Sequence, residues 1–577
     1  MVLASEGFNL KQSDNSHPNL TLPTTSADND EGLNQSTNTF ETINQVEQAI
    51  DMKKTKQTKW ERLHESIKKS LFPVFWILFT GFFIAAYVLQ IPKGYSQELL
   101  ILALIYLYTT LFLFFCHVPT TIITRPWKRM IHSLSQLLHS RFSQRVLSFA
   151  WAAFVITLIL ATVFSLPEKT ESPRKRRLIA VFGFFVFIFV LFSTSAHRKE
   201  IRWNTICTAF FIQFLLALFV FRTSVGNDIF QWIATFVQSF LGYSWFGTSF
   251  IFGTNIANSG IFAVNVFPPA IFFAAVVQVF YYLGTIQFIL KKISVVCVSL
   301  LTISGAEAMV AIASPFLGAS ENALLIEPLI KDLTRSELHM ILTCGFATIS
   351  GSMLYGYVAM GISGKALLTS CIMSIPCSIA VSKLRYPDTE QSAIRDITTI
   401  PMTSNGAINV LHAASKGANL GIELVLLILA NVIVILSSLN AFNGLLTWAG
   451  HFVNIENLTL QLITGYVFIP VAWLIGADNK DLVIVGRLMG TKVWANEYVA
   501  FHDMTNTYKN LLSSRSELVV TYALCGFANF GTLGAQVAVL SSLAPTRVDD
   551  ISSLSISALI CGTLSTWLSA SVAGMLI

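Results

Sequence analysis

The chain has 577 residues, of which 53% are hydrophobic and 12% charged, and a formal net charge of +6. That is too apolar for one soluble core, and several runs reach the roughly 20 residues that cross a bilayer, so a polytopic membrane protein is expected, with no nucleic-acid partner. The eight cysteines form no Cys-x-x-Cys pair and lie in or beside apolar runs, which argues against zinc or a disulfide framework.

The first 50 or so residues are rich in Asn, Ser, Thr, Asp and Glu, and lack the layout of a signal peptide. A disordered tail over 1–66 is expected, and Lys53, Lys54, Lys56, Lys59, Arg62, Lys68 and Lys69 place it in the cytosol by the positive-inside rule. The glycosylation patterns at Asn19 and Asn34 are therefore read as chance. Three N-terminal transmembrane helices are expected within 67–177, near 70–90, 97–118 and 145–166. A core over 178–577 begins with crossings near 178–195 and 203–222. Alternation puts Arg174, Lys175, Arg176 and Arg177 outside, against the positive-inside rule.

Between Asp228 and Tyr243, apolar residues recur at helical spacing (Ile229, Phe230, Ile233, Phe236, Val237, Phe240, Leu241), as in a helix lying along the membrane or a neighbouring domain. A sixth crossing is expected at about 266–289. Pro315 and Gly318 then break the apolar stretch 294–333 into halves too short to cross, which reads as a re-entrant hairpin. Such backbone is tolerated at membrane depth only where it lines a cavity or is buried in protein. Glu321 sits just past the break, beside Ser320. A charge near midbilayer costs roughly 2.5 to 3.5 kcal/mol on insertion scales, so such an acid is expected to face a cavity, a partner or a substrate. Glu497, in Ala495-Asn496-Glu497-Tyr498-Val499, has the same character.

The chain also repeats itself. Arg335-Ser336-Glu337-Leu338 leads into Cys344-Gly345-Phe346-Ala347-Thr348, and Arg515-Ser516-Glu517-Leu518 leads into Cys525-Gly526-Phe527-Ala528-Asn529. Each copy has an acid upstream (Glu321, Glu497) and a glycine with a hydroxyl downstream (Gly351-Ser352, Gly531-Thr532) that could open the helix. Crossings at 337–361, 366–386 and 420–445, a second hairpin within 458–506, a helix from about 515 and a last one at 551–577 complete about eleven, with the C-terminus outside. The copies then form an inverted repeat, the arrangement that places a shared site at the midplane of many secondary transporters; if 458–477 crosses by itself, they are parallel. No Gly-x-Ser-x-Gly elbow or His-Glu-x-x-His pair occurs, so no enzyme is expected, and His339, His412 and His502 read as packing or helix-end residues.

From about Leu178 onward the chain resembles the concentrative nucleoside transporters of the eukaryotic branch. The resemblance rests on Gly318-Ala319-Ser320-Glu321, Ser336-Glu337-Leu338-His339, Gly345-Phe346-Ala347-Thr348-Ile349-Ser350-Gly351-Ser352, Asn496-Glu497-Tyr498-Val499-Ala500 and Tyr522-Ala523-Leu524-Cys525-Gly526-Phe527-Ala528-Asn529. It implies an all-α, elevator-type symporter in the plasma membrane, a homotrimer that imports nucleosides on a Na+ or H+ gradient, with no cofactor beyond that ion. It also implies that Ala319, Ser320 and Glu321 face the base, with Ala319 standing where members commonly carry Gln. Glu497, Asn529 and Thr532 would face the ribose, and Phe527 would pack on the nucleoside. A Na+ would rest on Ser314, Leu317, Ser352 and Met353; because Ser314 replaces the Asn of sodium-coupled members, Na+ and H+ stay open. A transporter of another small polar solute, or a channel, is the alternative.

Overall fold

The computed structural model describes residues 76–90, 144–168, 173–390, 407–456 and 458–577, with separate positions between 99 and 110 and at 392. The expected tail over 1–66, most of the second expected crossing and Cys116 lie outside the described residues. Residues Met1–Ser140 form one unit, in which the helix Trp76–Gln90 meets the second segment through Trp76 Nε1, which donates to Thr110 Oγ1 at 3.1 Å. The second unit, Arg141–Ile577, carries the rest, and no strand occurs among the described residues. Eight described helical stretches are long and apolar enough to cross a membrane, or nine if a pair bent by 120° is one span.

Helices α1 (Gln144–Ser165), α2 (Arg174–Ser193) and α3 (Trp203–Arg222) correspond to the third to fifth expected crossings. The basic run that offends the positive-inside rule has internal partners. Arg177 is buried and donates to the carbonyls of Leu166 (3.1 Å) and Pro167 (2.7 Å) just past α1, where a helix end leaves acceptors unpaired. Arg176 pairs with Asp478 at 3.7 Å. The amphipathic helix α4 (Ser224–Gly242) buries Phe230, Ala234 and Leu241 and exposes Val225, Ile229 and Phe236.

The crossing expected at 266–289 is present as α5 (Phe262–Tyr282), which ends sooner than expected because Gly284 takes a left-handed φ of 78° ahead of a separate helix, α6 (Thr285–Leu301). A second turn at Thr302 (φ 53°) ends α6, and the capping box of Ser304 and Glu307 starts α7 (Gly305–Ala313). The first hairpin therefore begins at Gly305 and not near 294. Its second arm, α8 (Ala319–Ile326), follows the expected break at 314–318. The expected crossing 337–361 is itself broken into α9 (Arg335–Ala347) and α10 (Gly351–Ala359), followed by α11 (Gly364–Arg385).

Helix α12 (Val410–His451) has 42 residues, about 63 Å at 1.5 Å per residue, longer than the 420–445 expected. It packs on α5 where Gly417 and Gly421 allow the backbones to touch: a Cβ on Gly417 would lie 2.6 Å from the Ala274 carbonyl oxygen. The segment 458–477 holds two short helices, α13 (Leu460–Val467) and α14 (Ile469–Leu474), that meet at Phe468 ahead of Pro470. The second hairpin is α15 (Leu482–Trp494) and α16 (Glu497–Thr505). The second broken helix follows as α17 (Ser514–Leu524) and α18 (Phe530–Leu543), and α19 (Val548–Leu576) closes the chain. The two copies pack alike: α9 and α17 each lie against both α11 and α19, α7 lies against α9, and α15 against α17.

Candidate functional site

Four helix breaks meet at one point. At 314–318, 348–350, 495–496 and 525–529 the backbone leaves the helix, and its polar groups pair across the breaks. Phe527 N donates to Thr348 O at 3.2 Å, Gly351 N to Phe316 O at 3.3 Å, and Thr348 Oγ1 to Ser314 O at 3.3 Å. The approach is close enough to require glycine: a Cβ on Gly351 would lie 2.8 Å from the Phe273 ring, and one on Gly526 2.9 Å from the Phe346 carbonyl oxygen. Two of the half-helices that restart here are capped by asparagine, Asn496 accepting from Val499 N and Asn529 from Thr532 N, both at 2.8 Å.

Glu497 is the first residue of α16 and is 4% exposed. Tyr357 on α10 donates its hydroxyl to Oε1 at 2.9 Å, and Asn529 Nδ2 donates to Oε2 at 3.0 Å. The carboxylate thus sits at a helix N-terminus, where negative charge is favoured, and is held by neutral donors from both broken helices. Lys492, near the end of α15 on the other side of the break, is buried but donates to Ala523 O (2.8 Å) and Thr566 Oγ1 (3.2 Å) rather than to the acid.

A cavity of about 130 Å³ opens beside Glu497. The breaks contribute Gly318, Ser350, Asn496, Phe527 and Asn529, and α12 supplies an opposite wall that includes Leu427, Ile428 and Asn431. Phe262 of α5 packs its ring on Tyr498 with centroids 4.2 Å apart. Of the sequence-derived residues, Glu497, Phe527, Asn529 and Thr532 line this cavity together, although Thr532 Oγ1 donates to the Phe527 carbonyl at 2.5 Å. Met353 lines it as well, and Ser352 Oγ pairs with Ser350 Oγ at 2.8 Å. The side chains of Ala319, Ser320 and Glu321 lie outside the described residues; their backbone forms the first turn of α8, directly after Gly318 on the cavity wall. Ser314 Oγ donates to Val310 O at 2.7 Å and accepts from Asn322 Nδ2 at 3.0 Å, and the same nitrogen lies 3.5 Å from Leu317 O. No cluster of three or more His, Cys, Asp or Glu suited to a metal occurs among the described residues, so a cation at these positions would rest on neutral oxygens.

Sequence reasoning missed Tyr357, whose only signal is a phenol in an apolar helix, where the hydroxyl needs a partner. It also missed a second buried acid. Glu307, 1% exposed in the first turn of α7, pairs with Lys383 of α11 at 2.5 Å, and Lys383 also contacts Asp388 and Ser336 Oγ (3.2 Å). Asp388 lies beyond the end of α11; burial pushes its carboxyl up, but the Lys383 ammonium together with Ser336 and Arg202 outweighs this and holds it below its ordinary value. His339 is buried between Ser382 Oγ (2.7 Å) and Ser557 Oγ (3.1 Å).

Three family models match in succession: "Na+ dependent nucleoside transporter N-terminus" over 182–255, "Nucleoside recognition" over 263–364, and "Na+ dependent nucleoside transporter C-terminus" over 366–574. Solute carrier family 28 member 3 of Mus musculus is 37% identical over 442 residues, which are 74% of this chain and 63% of that protein. The chain thus spans less than two thirds of that relative. Sodium/nucleoside cotransporter 1 of Homo sapiens is 34% identical over 481 residues, 81% of this chain and 74% of that protein. A solved structure of CNTnw in an inward-facing substrate-bound state is 32% identical with a TM-score of 0.65, covering 69% of this chain and 97% of that one.

Proposed function

The chain belongs to the Na+ dependent nucleoside transporter family, and on that premise we propose that it is a secondary active symporter that brings nucleosides across the plasma membrane on a cation gradient. The observation that carries this reading is Glu497: a buried carboxylate whose hydrogen-bond donors among the described side chains, Tyr357 and Asn529, are neutral, on the wall of a cavity where four helix breaks meet. A carboxylate accepts from two vicinal hydroxyls, so ribose can take over the donor positions that Tyr357 and Asn529 fill here. Asn529 and Thr532 add polar groups on the sugar side, and Phe527 supplies an apolar surface for the nucleoside. Ala319, Ser320 and Glu321 face the base. Ala319 has no hydrogen-bonding group, so base selectivity differs from that of members with Gln at this position.

The protein works as a homotrimer, with a cytosolic N-terminus and an extracellular C-terminus. Helices α5 and α12, which form the wall facing the breaks, belong to the scaffold, and the hairpins with the broken helices move as the transport domain. Sodium is the coupling ion that the family description favours. Uptake of labelled uridine and adenosine by cells lacking endogenous transport, with Na+ and pH varied independently, tests the reading. Accumulation against a gradient that collapses without Na+ at neutral pH supports it. Accumulation in Na+-free acid medium assigns the coupling to H+, and uptake that only equilibrates overturns the symporter.

A further inference from the structure

Asn322 lies in the second turn of α8, 3% exposed, with its carboxamide turned back toward the break at 314–318. Its orientation is fixed by its neighbours. Nδ2 faces two acceptors: Ser314 Oγ, whose own proton goes to Val310 O, and Leu317 O. Oδ1 is then left buried with no hydrogen-bond partner among the described residues. A buried amide oxygen without a donor is uncommon in a folded protein and calls for a water or an ion. The surroundings favour an ion. Ser314 Oγ and the Leu317 carbonyl face Nδ2, the other end of the same amide, Thr348 Oγ1 lies 3.3 Å from the Ser314 carbonyl, and the Gly351 N to Phe316 O bond brings the start of α10, with Ser352, against the same turn. All of these are neutral oxygens, which suits a hard monovalent cation, and none of them titrates in the physiological range.

Resting on the symporter reading above, with Na+ as the coupling ion, the geometry points to Asn322 Oδ1 as a direct ligand of that cation. Since Asn322 and Ser314 touch, the carboxamide can be moved from one to the other without leaving the site.

The test uses the full-length protein, with two readouts: the Na+ concentration that half-saturates uridine uptake, and the rise in melting temperature that NaCl, against choline chloride, gives the purified protein without nucleoside. Asn322→Ala is expected to raise the half-saturating Na+ by at least about tenfold, the scale on which metal sites respond to lost partners, and to lose the Na+ thermal shift. The double variant Ser314→Asn/Asn322→Ala is expected to recover both. An Asn322→Ala protein with the wild-type half-saturation and thermal shift overturns the assignment and leaves Oδ1 with an ordered water only. If Asn322→Ala gives no uptake, its thermal shift decides, since a shift equal to wild type overturns the assignment. Wild-type accumulation of nucleoside that ignores Na+ in both readouts also overturns it while leaving the symporter intact; failure of the wild type to accumulate any nucleoside overturns the symporter reading itself.

Discussion

Glu307 opens the first arm of one hairpin and Glu497 the second arm of the other, and both carboxylates are buried. Glu307 faces an ammonium 2.5 Å away, whereas Glu497 faces a phenol and an amide. A charge answered by a fixed charge has a partner that no neutral solute can displace, because exposing Lys383 unpaired costs more than any hydroxyl returns. A carboxylate held by neutral donors can exchange them for the hydroxyls of a substrate at little net cost. Burial alone therefore does not mark a functional acid; the chemistry of its partners does.

The largest effect should come from breaking the ion pair on one side. Lys383→Met leaves Glu307 buried and alone and should destabilise the protein by about 3 to 5 kcal/mol, visible as a lower melting temperature and poor surface abundance. The double variant Glu307→Gln/Lys383→Met should recover most of this and transport at near wild-type rates. At the other acid, Glu497→Gln should leave surface abundance near normal while uptake efficiency falls by about 100-fold, the scale of two charge-assisted hydrogen bonds to substrate. Tyr357→Phe removes a donor that the ribose displaces, so the uridine concentration that half-saturates uptake should fall by up to about tenfold, close to one hydrogen bond to a charged group that no longer has to be exchanged. Smallest of all, Ala319→Gln should shift the ratio of purine to pyrimidine nucleoside uptake with little change in the preferred substrate's maximal rate; an unchanged ratio separates residue 319 from base selection.

Two breaks were readable because they are written in residues that interrupt a helix, Pro315 and Gly318 in one hairpin and Gly351 in the first broken helix, whereas in the second copy the break falls at 525–529, around Gly526, ahead of the expected Gly531, which lies inside α18. Glu497 was readable because a charge in an apolar stretch needs a reason. The Glu307–Lys383 pair was not, since its partners are remote in sequence and each alone looks like a helix-end charge. The bend between α6 and α7 was hidden as well, because the left-handed residue there is Thr302 and not a glycine. Helix α12 outran its apolar stretch because its N-terminal residues are small and polar, good for packing against α5 through Gly417 and Gly421 but invisible to hydropathy.

The most direct test of the account is whether Glu497 reads the sugar. Uptake of uridine and of 2′,3′-dideoxyuridine is measured for the wild type and Glu497→Gln, each normalised to surface protein. The account predicts that the wild type strongly prefers uridine and that Glu497→Gln loses both the rate and the preference. A Glu497→Gln protein that transports uridine at the wild-type rate, with the preference for the ribose hydroxyls intact, would contradict it.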